Sequence, residues 1–137
     1  MKQLNNYQEL QCWSLALELC EIVYDLCEKA WLPADDELAC RWYVASLHIS
    51  GKIAFAFGPE KPERAVEYLP LVKKYCMETV FWSWVAQKKA LISKKNYNHI
   101  LIQAKRIVKK IDAILRYLEK YWSQEKYQWK VLFNDQE

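Results

Sequence analysis

Between Tyr97 and Leu118, apolar side chains recur at three- and four-residue intervals without a break: Tyr97, Ile100, Leu101, Ala104, Ile107, Val108, Ile111, Ile114, Leu115 and Leu118. This spacing lines one face of a helix and leaves the other face polar. A stripe about six turns long has to bury its apolar side against other elements. The rest of the chain follows suit. Only 2 Gly and 4 Pro occur in 137 residues, and an all-β chain needs far more turn formers. Seven Trp, nine Tyr and a hydrophobic fraction of 53% supply a core and argue against disorder. The length fits one domain.

The spacing predicts four long helices, at about 7–30, 34–57, 61–90 and 94–122, in one bundle over residues 1–122. In the first, Trp13, Ala16, Leu17, Cys20, Val23, Tyr24 and Cys27 form the apolar face, and Trp31-Leu32-Pro33 ends it because proline disfavours helix in the residue before it. The second opens on Asp35-Asp36-Glu37, which suits the helix dipole. It buries Leu38, Trp42, Ala45, Ile49, Ile53 and Ala56, and stops at Gly58-Pro59. The third begins near Pro62 and carries Val66, Leu69, Val72, Tyr75, Val80 and Val85. Pro70 lies within it and predicts a kink or a delayed regular start. The fourth starts at Ser93 or Asn96. Residues 123–137 form a tail that extends this helix and frays. Long helices joined by short loops predict an all-α, antiparallel, up-and-down four-helix bundle.

No segment has the roughly 18 uninterrupted apolar residues of a membrane span. The opening Met1-Lys2-Gln3-Leu4-Asn5-Asn6 lacks the apolar core of a signal peptide, so a cytoplasmic protein is expected. Cys12, Cys20, Cys27, Cys40 and Cys76 include no CxxC pair, and they read as small buried hydrophobes rather than zinc ligands. No cofactor or metal is expected. There is no Gly-rich phosphate loop, and no carboxylate is placed to complete a triad with Ser46 and His48. Arg41 and His48 have six residues between them, which falls within the loose Arg–His spacing of a family of helical ribonucleases. The spacing is not specific and the polar neighbours that usually accompany it are missing, so two unrelated residues of one helix are expected.

Charge is unevenly placed. Residues 1–87 hold 8 Lys/Arg against 12 Asp/Glu, and residues 88–137 hold 12 against 5. At about 100° per residue, Lys94, Lys105, Lys109, Arg116 and Lys120 project within a quarter-turn of one another, with Arg106 and Lys110 widening that face. A one-signed helix face is a footprint for phosphates, though a solvated flank has the same pattern. Glu18, Glu21, Asp25 and Glu28 form an acidic counterpart on the first helix, suited to a neighbouring subunit's cations in a head-to-tail ring. Trp82 and Trp84 are two apart and cannot both face the core, so at least one of them is a candidate interface residue.

These elements resemble a superfamily of small four-helix proteins over roughly residues 8–120. The first helix reads Trp13-Ser14-Leu15-Ala16-Leu17-Glu18-Leu19, then Ile22-Val23-Tyr24, similar to the family's opening W-x-x-A … I-Y. The second ends His48-Ile49-Ser50-Gly51-Lys52-Ile53-Ala54-Phe55-Ala56-Phe57-Gly58. One branch, encoded in intervening sequences of bacterial large-subunit ribosomal RNA genes, typically has S-I-P-x-N-I-A-E-G-F there. Ile49, Ile53, Ala54 and Phe57 match, whereas Ser50, Lys52, Phe55 and Ala56 stand at the proline, asparagine, glutamate and glycine. Glu78 and Ala86 match the ends of E-L-E-T-Q-L-x-x-A, and Ile92 to Tyr97 look like the loop into the fourth helix.

The apolar skeleton without the polar signature points to the other branch, the accessory variability determinant (Avd) of diversity-generating retroelements. That resemblance implies a homopentameric ring of bundles without catalysis of its own, which binds a reverse transcriptase and its RNA. No membrane and no small-molecule substrate is implied. An oligomeric intervening-sequence-type protein without nucleic-acid binding is the alternative, and a helical ribonuclease a more distant one.

Overall fold

The computed structural model describes residues 10–30, 36–57 and 62–121. They form α1 (Gln11–Ala30), α2 (Asp36–Phe57), α3 (Pro62–Lys88) and α4 (Lys94–Tyr121), with no strand among them. Helix packs on helix in the order α1–α2–α3–α4, and α4 closes back on α1, which makes a four-helix bundle. Contact pairs climb one helix as they descend its neighbour. Tyr24 meets Tyr43 and Cys27 meets Ala39 between α1 and α2. Trp42 meets Ser83, His48 meets Tyr75 and Phe55 meets Tyr68 between α2 and α3. That is the register antiparallel neighbours make. The expected tail, 123–137, lies outside the described residues, as do Trp122 and Trp129.

The core is continuous from end to end. Trp42, Ile49, Ile53, Phe57, Leu69, Ile100 and Ile107 are all fully buried. All six apolar positions predicted for α2 are buried. The α1 face differs from the expectation. Tyr24 is 45% exposed, while Cys12, Leu15 and Leu19 are buried, so the apolar face of α1 is rotated toward α4. Val66, expected inside, is exposed. Pro70 neither delays nor interrupts α3, which runs through it. Proline leaves the Val66 carbonyl without its helical partner, and because Val66 is exposed, water is at hand.

Buried polar side chains follow a simple rule. Ser46, Ser50, Thr79 and Ser83 each donate to a carbonyl three or four residues back, on Tyr43, Leu47, Tyr75 and Thr79 respectively. Satisfied within their own helices, they enter the core without an orphaned donor. The Ser83 hydroxyl also accepts the Trp42 indole N–H at 2.8 Å, which ties α2 to α3.

The α3–α4 turn sets where the cationic face of α4 begins. Leu91 N–H donates to Ala86 O at 2.9 Å and Ala90 N–H to Gln87 O at 3.0 Å, with Ala90 at φ 60. This is a Schellman cap built without glycine. The Ser93 side chain then accepts from Asn96 N–H at 3.0 Å and caps α4. Left-handed backbone costs a residue with a Cβ about 1 kcal/mol relative to Gly. Ala90→Gly should therefore raise folding stability by roughly 1 kcal/mol, read as a higher urea midpoint with an unchanged slope. A lower midpoint would contradict this account of the turn.

Candidate nucleic-acid interface

α4 is the most amphipathic of the four helices. Ile107, Ile111, Ile114 and Leu118 fix its inner face, and at about 100° per residue Lys105, Lys109 and Arg116 then point away from the bundle. Lys94, Lys105, Arg106, Lys109, Arg116 and Lys120 are exposed, and Lys110 is half-buried. Lys94 and Lys95 occupy the first turn of α4, which has no acidic residue. Helix stability alone would favour carboxylates there, so these cations add to the positive end of the dipole.

Two interactions shape the charge on this face. Asp112 lies within the angular range of the stripe but pairs with Lys73 of α3 at 2.7 Å, which offsets its charge locally. On the α1 side, Gln103 is buried. Its amide donates to Leu15 O at 3.3 Å and to Glu18 Oε2 at 3.2 Å, and its carbonyl accepts from Arg106 Nη1 at 3.3 Å. Arg106 and Glu18 are thus both engaged within this chain. Lys105, Lys109 and Arg116 form the middle of the outward stripe.

Glu21, Asp25 and Glu28 are exposed along α1, as is Glu18. Trp84 is 45% exposed, with Lys88 over its ring at 5.7 Å. Trp82 is half-buried against the core, edge-on to Phe81, and its indole N–H meets no acceptor among the described residues. The two tryptophans divide between core and surface as their spacing requires.

The Arg41 guanidinium is held by Glu37 Oε1 at 3.0 Å, and the His48 ring stacks on Tyr75 at 4.6 Å. Seven residues apart on α2, they share a side but stand about 10 Å apart along the axis. Each contacts a neighbour of its own. No group of three or more His, Cys, Asp or Glu among the described residues is placed to hold a metal ion. Cys12, Cys20, Cys27 and Cys76 are buried, whereas Cys40 is exposed, contrary to the uniform burial expected. Burial pushes the Cys12 and Cys76 thiols up to about 12, which keeps them protonated and unreactive at neutral pH.

The α3–α4 seam holds a feature that the sequence reading missed. An open groove of about 580 Å³ runs between the helices, with Val80, Leu101 and Val108 on its floor, Met77 at one edge, and Lys105, Lys109 and Arg116 at the other. Met77, Phe81 and Trp84, spaced by four and three, are all exposed. That spacing is visible in the sequence, but their relation to the lysines is not. No helix among the described residues is long and apolar enough to cross a membrane. Compared with known proteins, the chain matches no family model and no curated protein.

Proposed function

We propose that the protein is a non-catalytic, nucleic-acid-associated accessory protein, a cytoplasmic helical scaffold whose α4 stripe binds RNA. On the Avd-like resemblance, it serves a reverse transcriptase of a diversity-generating retroelement as a homopentameric ring. The observation carrying this reading is the exposed, nearly one-signed outer face of α4, with Asp112 tied to Lys73. Phosphate backbones bind such faces by releasing counterions and need no pocket. A ring would repeat the stripe in each subunit and add modest contacts by multivalency.

The acidic face of α1 favours a second reading, in which α4 cations meet α1 carboxylates of the next subunit and bind no RNA. Titrating fluorescein-labelled single-stranded RNA with the protein at several salt concentrations tests the first reading. Affinity should fall steeply and log-linearly with salt. Light scattering on the same samples should return a multiple of 16.4 kDa. Absence of RNA binding at low salt would overturn the nucleic-acid role, and a constant single-chain mass would overturn the ring.

A further inference from the structure

We propose that the groove between α3 and α4 receives an acidic amphipathic helix of a protein partner. Three observations converge on that occupant. The floor and one edge are apolar and open. Met77 is 72% exposed, the most exposed large hydrophobic among the described residues, and Phe81 and Trp84 continue its ridge. Contiguous apolar surface of this kind on a bundle marks a contact site, and methionine adapts its shape to a guest side chain.

The dimensions fit a helix. The stretch of α4 lining the groove, from Leu101 to Arg116, spans about 22 Å, roughly four turns of a guest helix. A trough between two adjacent helices is where a third lays its ridge.

Charge selects the guest. Lys105, Lys109 and Arg116 line the α4 edge, and the carboxylate among them, Asp112, is paired with Lys73. A guest with leucines on its inner face and glutamates along one flank matches both the floor and this edge. A phosphate backbone gains nothing from Val80, Leu101 and Val108. The groove therefore adds a second, protein-binding surface to the RNA-binding one, and the two share their cations.

The test uses a fluorescein-labelled synthetic peptide of about twenty residues, with leucines at helical spacing and glutamates flanking them, beside a scrambled peptide of identical composition. The designed peptide should bind saturably, gain helicity on binding, and bind at least roughly tenfold more tightly than the scrambled one. Met77→Glu sets a carboxylate against the apolar face of the guest and should weaken binding at least about tenfold. Because this side chain is exposed, the thermal midpoint should not move, and RNA affinity should fall much less than peptide affinity, because the new carboxylate stands across the groove from the stripe but removes none of its cations. The Lys105→Glu/Lys109→Glu pair should weaken the peptide and the RNA together.

Equal affinity for the two peptides, no saturable binding, or undiminished binding by Met77→Glu would overturn the proposal. RNA affinity falling in step with peptide affinity in Met77→Glu would assign the groove to nucleic acid instead. Dissociation of an oligomer by Met77→Glu would assign it to a second copy of this chain. The peptide outcomes do not depend on whether the wild-type stripe binds RNA, so the two readings fail separately.

Discussion

Trp42→Ala should cost about 3–5 kcal/mol of folding stability. A domain of this size has only about 5–15 kcal/mol in hand, so the variant is expected to be partly unfolded near physiological temperature. The indole is fully buried in the second turn of α2, and its N–H reaches the Ser83 hydroxyl of α3 at 2.8 Å. Truncation removes the largest fully buried side chain among the described residues and leaves a cavity that fixed helix backbones cannot close. Trp42→Phe separates packing from polarity. It keeps most of the apolar volume and loses the hydrogen bond, for about 1–2 kcal/mol. Ser83→Ala is the mirror experiment: it removes the hydroxyl that accepts this N–H and should cost about 1–3 kcal/mol. Urea denaturation followed by far-ultraviolet circular dichroism reads all three. A Trp42→Ala midpoint within error of the wild type would show that α2 and α3 are held together elsewhere.

How far the fold could be read from sequence follows from the same residues. Periodicity locates α2 and α4 well because the apolar residues at their buried positions form an unbroken helical stripe, from Leu38 to Ala56 and from Ile100 to Leu118, in spite of the buried Ser46 and Ser50. It fails where polar residues are buried. Thr79 and Ser83 look like breaks in the stripe of α3, yet both satisfy themselves on carbonyls of their own helix. Gln103 looks like a surface residue of α4, yet it bridges to Leu15 and Glu18, contacts that no single-helix pattern contains. The spacing of Tyr24 predicts a buried side chain, but it packs on Tyr43 at the surface. The end of α3 carries no Gly, and its Schellman cap at Ala90 has no signature in the letters.

The candidate site divides along the same line. Angles around one helix are fixed by residue number, so the outward stripe of Lys105, Lys109 and Arg116 was legible. The groove depends on how α3 lies against α4, down to the pairing of Lys73 with Asp112. That placement is a tertiary fact, so the spacing of Met77 and Phe81 along α3 does not by itself relate them to the lysines of α4.

Reversing Lys105, Lys109 and Arg116 together to Glu should lower RNA affinity about a hundredfold or more at physiological salt. Each single-stranded phosphate contact contributes about 0.7 to the slope of log affinity against log salt, so losing three should flatten that slope by about 2. A single Lys→Ala should cost less than about 1 kcal/mol, because exposed charges are screened and share the contact. The fold should survive the triple change, since all three side chains are exposed and Glu is as good a helix former as Lys. Circular dichroism and light scattering on the same preparation decide what the stripe is for. An intact oligomer that no longer binds RNA assigns it to the polyanion. Collapse to 16.4 kDa assigns it to assembly against Glu18, Glu21, Asp25 and Glu28, because six units of charge would then have been reversed across every subunit contact. Unchanged RNA affinity in an intact oligomer would leave Lys105, Lys109 and Arg116 as a solvated flank and overturn the RNA-binding role of α4. The salt slope also separates a weakened contact from a relocated one: RNA that moved to other cations would bind less tightly but keep its slope.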